Sequence, residues 1–294
     1  MNPRAGGSNA SGERGVVLVL VLWMLALLTL TAAGYARSTR TETLLAAYQA
    51  QSAQARAAAE GGIWLAVQDL VRPVAEREWD AVGTSRKVAV GPYFAEVVVQ
   101  DEAGKIDLNS AREDLLTGLL RSGGADENQA NALRDAILDW RDRDNLRRDQ
   151  GAEDDDYAAA GRAYGAKDGP FNSIEELRLV AGMTEALYRN IAPALTVHSH
   201  KPGINPAVAV REALLARPDM SPEEADEQIA ARADAGSGGA GSVFTITSQG
   251  LAGDATVRLD AVILIRRGAD VAYTVLSWSE GREEETPAAE RAAP

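Results

Sequence analysis

The densest chemistry in this chain lies in "LDWRDRDNLRRDQGAEDDDY", Leu138–Tyr157. Residues 139–156 hold eight carboxylates: Asp139, Asp142, Asp144, Asp149, Glu153, Asp154, Asp155 and Asp156. A hard divalent cation takes about six to eight oxygen ligands in flexible geometry, which loop carboxylates and carbonyls supply. The spacing partly follows an EF-hand, with Asp142 and Asp144 as the first and third loop positions and Glu153 as the twelfth. The fifth position is Leu146, however, and Arg147 stands where that loop requires glycine, so this is not an EF-hand. Residue types alone leave three readings open. One is a solvated loop in which Arg141, Arg143, Arg147 and Arg148 neutralise their neighbours. Another is a calcium site. The third is a carboxylate pair for glycoside hydrolysis, to which consecutive acids in one loop, with no aromatic platform beside them, are a poor match. Asp135, Asp139 and Asp142 fall at i, i+4 and i+7, which places them on one helical face opposite Ile137 and Trp140.

Other chemistry is thin. His198-Ser199-His200 holds both histidines and reads as a solvent-exposed pair, since no third zinc ligand is evident. No serine sits in a G-x-S-x-G elbow. "GSGGAGS", Gly236–Ser242, has no lysine after its glycines and no strand before them, so it is a seam rather than a phosphate loop. There is no cysteine, which excludes disulfides and thiolate sites. The net charge of −13 argues against nucleic acid, because phosphate binding needs clustered Lys and Arg.

The elements that must carry the acidic stretch can be read from periodicity. Gly15–Ala36 contains no charged residue. As a helix it spans about 33 Å, enough to cross a bilayer core. It is too long for a secretory h-region and lacks a good cleavage site. Charge does not orient it, because Arg4 and Arg14 precede it and Arg37 and Arg40 follow. Apolar residues then recur at Leu44, Leu45, Tyr48, Ala55, Ala59, Ile63, Val67 and Leu70, which continues the helix, with Gly61-Gly62 as a weak point and Pro73 as its end. Residues 86–101 read as β-structure around a Gly-Pro turn, with Val88, Val90, Phe94, Val97 and Val99 as its apolar positions. From about Ile106 to Ala235 the periodicity is helical. Ala130, Leu133, Ile137 and Trp140 form one stripe there, and Leu115, Leu116, Leu119 and Leu120 another. Asn109, Asn172 and Asn205 precede three similar segments at N-cap positions. Those segments resemble helix-hairpin-helix units without the basic residues that grip DNA. Three strands follow from Ser242, and residues 281–294 read as a disordered tail. The expected fold is α+β: a long N-terminal helix packed on an antiparallel sheet, with a large all-helical domain inserted between strands.

The leader and apolar run resemble the N-terminus of type IV pilins and type II secretion pseudopilins. In these a short polar leader ending in glycine is cut and the apolar helix is kept. By that resemblance residues 1–15 are the leader, Gly15 and Val16 flank the cut, and Val16 becomes the N-methylated terminus. Residues 16–72 are then the N-terminal helix, with 16–36 transmembrane. Residues 73–105 and 242–280 form the pilin-like β domain, and 106–235 the insertion. Most pilins carry glutamate at the fifth mature position, where this chain has Leu20. The chain is similar in this respect to the K-type minor pseudopilins of type II secretion, whose members typically lack this glutamate. It also has their Asp139-Trp140-x-Asp142-x-Asp144 segment, then Gly151-Ala152-Glu153-Asp154-x-x-Tyr157. Phe171, Ser173, Glu176, Leu177, Val180 and Gly182 match a further family stretch, and "GKIDLN" resembles the one that opens the family's insertion.

The resemblance implies a non-enzymatic protein of the inner membrane, single-pass, with its C-terminal domain in the periplasm. It implies a tip position on the pseudopilus with the I- and J-type minor pseudopilins, contact with the assembly platform, and processing by the prepilin peptidase. It also implies calcium in the insertion, with Asp142, Asp144, Glu153, Asp154 and Asp156 as candidate ligands and Asp139 and Asp155 behind them. The competing expectation is a membrane-anchored periplasmic calcium-dependent hydrolase. A DNA-uptake pilin would need a basic face that the composition lacks.

Overall fold

A computed structural model describes residues 12–235, 241–266 and 270–281. Most of the leader, most of the glycine-rich seam, part of the last strand connection and most of the tail therefore lie outside the described residues. The first element is helix α1, Gly12–Val71. Two compact units, Met1–Ala53 and Gln54–Pro294, divide within it. In the first unit Val16–Ala33 is apolar and long enough to cross a membrane, and its large side chains are exposed.

In the second unit the remainder of α1 packs on a five-stranded antiparallel sheet. Its strands are β1 (Val82–Val90), β2 (Tyr93–Asp101), β5 (Val243–Ala252), β6 (Ala255–Ile265) and β7 (Tyr273–Glu280), paired in that order. The 3.6-residue period brings Ala59, Ile63, Val67 and Leu70 into one core with Val97 and Val99 of β2, Ile246 of β5 and Ile263 of β6. Gly61-Gly62 does not interrupt the helix, which runs through both. A Cβ on Gly62 would lie 2.5 Å from Ser248 Oγ and 2.8 Å from Val97 Cγ2, so the absent side chain lets helix and sheet approach closely. The helix stops at Val71 because Pro73 follows. Phe94 departs from expectation. It has the parity of the outer face, is 49% exposed, and lies under the Lys87 ammonium instead of in the core.

Between β2 and β5 run α2 (Glu113–Ser122), α3 (Glu127–Arg141), α4 (Asp154–Ala159), α5 (Glu185–Ile191), α6 (Arg211–Leu215) and α7 (Pro222–Ala235). Both leucine and alanine–tryptophan stripes are buried in one cluster there. The segment is not purely helical. β3 (Ile106–Asp107) pairs in parallel with β4 (Leu195–Thr196). Each is two residues long, too short to show alternation in a sequence. The Asn109 expectation also changes. Arg112 holds the N-cap position of α2 without a side-chain capping bond, while Asn109 bonds the Phe171 backbone in both directions, donating at 3.0 Å and accepting at 2.7 Å.

The helical segment is tied to the sheet by a buried polar hub. Glu102, at the end of β2, accepts from Lys105 Nζ at 2.7 Å, from the Thr245 hydroxyl of β5 at 2.6 Å and from the Thr196 hydroxyl of β4. Burial alone would raise the Glu102 carboxyl. The Lys105 charge and the three donors together outweigh it and hold the group below its ordinary value.

Candidate functional site

The acidic stretch begins on α3, which a reciprocal capping box starts at Asp126 and Gln129. Its last turn does not present a solvated acidic face. Asp135 and Asp139 are as buried as Ile137 and Trp140, because the loop after the helix folds back over them. The Gln150 N–H donates to Asp135 Oδ2 at 3.2 Å and the Arg148 N–H to Asp139 Oδ2 at 3.3 Å. The loop comes close because position 151 is glycine: a Cβ there would lie 1.9 Å from Asp139 Oδ2. Behind the carboxylates stands an aromatic wall. The Trp140 ring centroid lies 5.7 Å from Tyr157, 6.3 Å from Tyr164 and 6.2 Å from Phe171. The Ala181 N–H donates to the Tyr157 hydroxyl oxygen at 3.0 Å, which ties α4 to the turn before α5. Burial pushes the Tyr157 phenol up to about 12.

The candidate ligands separate in this frame. Asp142 is half-buried, with Oδ2 bonded to Arg148 Nη1 at 2.5 Å and Oδ1 buried without a hydrogen bond. Glu153 is 4% exposed, and both its carboxylate oxygens are buried and accept no hydrogen bond. The Asp156 N–H donates to the Glu153 main-chain carbonyl at 2.9 Å. Burial first, then the charges of Asp139, Asp142, Asp168 and Asp154, push the Glu153 carboxyl up to about 7. Asp154 and Asp144 are exposed and face the same locality, since both act with Asp142 to raise Asp168, behind burial as the largest cause. Asp156 is engaged elsewhere, with Arg147 at 3.0 Å and the Glu153 N–H at 3.1 Å. Asp155 is exposed. Sequence reasoning missed Asp168, which returns to the cluster from a later turn at φ 52°. The Asp168-Gly169 turn dipeptide was its only signal.

Of the four arginines assigned to local neutralisation, Arg147 and Arg148 do pair with acids. Arg141 instead donates to the Leu108 and Ala111 carbonyls at 2.6 and 3.1 Å. Among the described residues no group of three or more acidic or histidine side chains is gathered closely enough to hold a metal. The donor set nevertheless fits a hard cation. It is all oxygen, it includes three buried oxygens without a donor, and its members repel one another. The histidines contribute nothing to it. His200 is exposed, whereas His198 is half-buried rather than exposed, and burial lowers its pKa.

Taken together, an antiparallel sheet on a long N-terminal helix, interrupted by a helical segment with an acidic loop, defines a pilin-like α+β protein with an insertion. The comparisons with known proteins are specific about which. Residues 96–200 match the family model of protein K of the type II secretion system. The type II secretion system protein K of Klebsiella pneumoniae is 28% identical over 249 residues, covering 76% of each chain. That of Pseudomonas aeruginosa is 29% identical over 243 residues, covering 75% of this chain and 73% of the other. The fold is similar to the crystal structure of the GspK-GspI-GspJ complex of enterotoxigenic Escherichia coli. That match has a TM-score of 0.57 at 18% identity and covers 83% of this chain and 99% of the other. The chain is thus similar to type II secretion system protein K over about three quarters of its length, and these matches support the role of a minor pseudopilin.

Proposed function

We propose that this chain caps the tip of the type II secretion pseudopilus, beside the I- and J-type minor pseudopilins, and primes assembly for export of folded proteins across the outer membrane. The observation that carries the reading is the insertion. The sheet is continuous from β2 to β5, yet α2–α7 leave and re-enter it between those neighbouring strands. A solved relative of this fold is described as a complex with GspI and GspJ. The N-terminus agrees with an end position. A carboxylate inside a bilayer costs roughly 3 kcal/mol unless paired. Leu20 avoids that cost but cannot neutralise a neighbouring subunit's amine.

In this reading the prepilin peptidase cuts after Gly15 and Val16 becomes the methylated terminus. Residues 16–36 anchor the chain in the inner membrane, the remainder lies in the periplasm, and assembly proceeds on the inner-membrane platform. No catalytic step is assigned to it. The acidic loop is a calcium site. Asp142 and Glu153 hold the ion, Asp144 and Asp154 add negative charge from the rim, and Asp168 joins them. When bound, the ion supplies the positive charge that the buried carboxylates lack. Asp156 is withdrawn from the ligand set by its bonds to Arg147 and the Glu153 N–H.

Deleting the chain should leave folded exoproteins in the periplasm. Its intact mass from envelopes should match residues 16–294 plus one methyl, and only when the peptidase is active. Normal export without the chain, or a full-length mass in both strains, refutes the reading.

A further inference from the structure

Arg148 occupies an unusual place for a loop arginine. Its Nη1 donates to Asp139 Oδ1 at 2.6 Å and to Asp142 Oδ2 at 2.5 Å at once. The Asp139 side chain has no exposure at all, while the Arg148 side chain is 36% exposed. We propose that Arg148 is a built-in stand-in for the hard cation. It holds the buried carboxylates when no ion is bound, and the ion enters by exchange with it. The proposal rests on the calcium reading and concerns how that site is filled.

Three observations carry it. A carboxylate as buried as Asp139 is costly unless it is paired, so the loop needs a cation there at all times. A guanidinium offers donors only in one plane. With Nη1 committed to Asp139 and Asp142, it leaves both Glu153 oxygens and Asp142 Oδ1 without a donor. Finally, Arg148 draws Asp139 and Asp142 to itself, which accounts for the acidic side chains not converging on a common point among the described residues. A divalent ion accepts oxygens from all sides and carries twice the charge, so it can gather Asp142 with Glu153 where arginine cannot. Arg148 can swing on its long stem to solvent, whereas Asp139, at the end of α3, cannot leave.

The test uses the full chain in detergent, wild type beside Arg148→Met and Arg148→Lys. Melting temperature is read in EDTA and in calcium chloride, and affinity by calorimetry, with magnesium chloride as control. Arg148→Met should melt several degrees below wild type in EDTA and recover in calcium. It should bind calcium several-fold more tightly than wild type, because a competing cation is gone. Arg148→Lys, which keeps the charge and loses the fork, should fall between. Equal melting losses with and without calcium, or weaker calcium binding in Arg148→Met, would overturn the exchange while leaving calcium binding intact. A wild type that takes up no calcium would sink the calcium reading, and the exchange with it.

Discussion

Replacing Glu153 by glutamine should stabilise this protein in EDTA at alkaline pH, although it alters a side chain in the interior. The folded protein holds the Glu153 carboxyl near 7, against an ordinary 4.5, because the group is buried among Asp139, Asp142, Asp168 and Asp154. Below about pH 4.5 the carboxyl is protonated whether the chain is folded or not, and it costs nothing. Between 4.5 and 7 the folded form binds more protons, so stability falls as pH rises. Above 7 the full penalty remains. At about 1.4 kcal/mol for each pH unit between the two values, the penalty is roughly 3 kcal/mol. For a chain of this size that is about 6–12 °C in melting temperature. Glutamine keeps the shape and drops the charge. Its advantage over wild type should be under about 1 kcal/mol at pH 5 and close to the full figure at pH 8. Thermal melts of the full chain in detergent and EDTA at both pH values measure the gap, and the difference between the two proteins cancels the titrating groups that do not interact with Glu153. Calcium, which favours the ionised form, should raise wild type and leave Glu153→Gln almost unmoved. A gap of the same size at pH 5 and pH 8 would refute the reasoning, because a packing effect does not titrate.

Two further predictions concern the frame. Lys105→Met leaves Glu102 buried with only the Thr196 and Thr245 hydroxyls, so denaturant unfolding should show a loss of about 3–5 kcal/mol. A change under 1 kcal/mol would show that Lys105 is not the partner that keeps Glu102 ionised. Gly62→Ala sets a gain in helix propensity of about 1 kcal/mol against an overpacking cost of about 1–3 kcal/mol. With a Cβ only 2.5–2.9 Å from Ser248, Val97 and Ala95, the cost should win, and chemical denaturation should show net destabilisation. A more stable variant would mean that the helix–sheet contact yields easily.

The sequence by itself determined whatever depends on local period and local chemistry. The stripe Ala59, Ile63, Val67 and Leu70 had to face a core, because a helix returns to the same face every three to four residues. Pro73 had to end that helix, and the strands after Ser242 alternate plainly enough to be read. The acidic loop was legible as a concentration of carboxylates, and Trp140, Tyr157 and Phe171 as motif positions. That those three rings form one wall behind the carboxylates was not legible, because they meet across the fold. The tertiary structure alone decided which acids matter. Asp139 and Glu153 are buried while Asp155 is left in solvent, and Asp168 comes back from a distant turn, because the loop doubles over the end of α3. It also decided that Asn109 reaches Phe171 instead of capping a helix, and that Arg148 rather than Arg141 meets the carboxylates. Spacing along a chain cannot contain these facts, since a side chain's partner and its dielectric surroundings are set by whatever the rest of the fold brings over it.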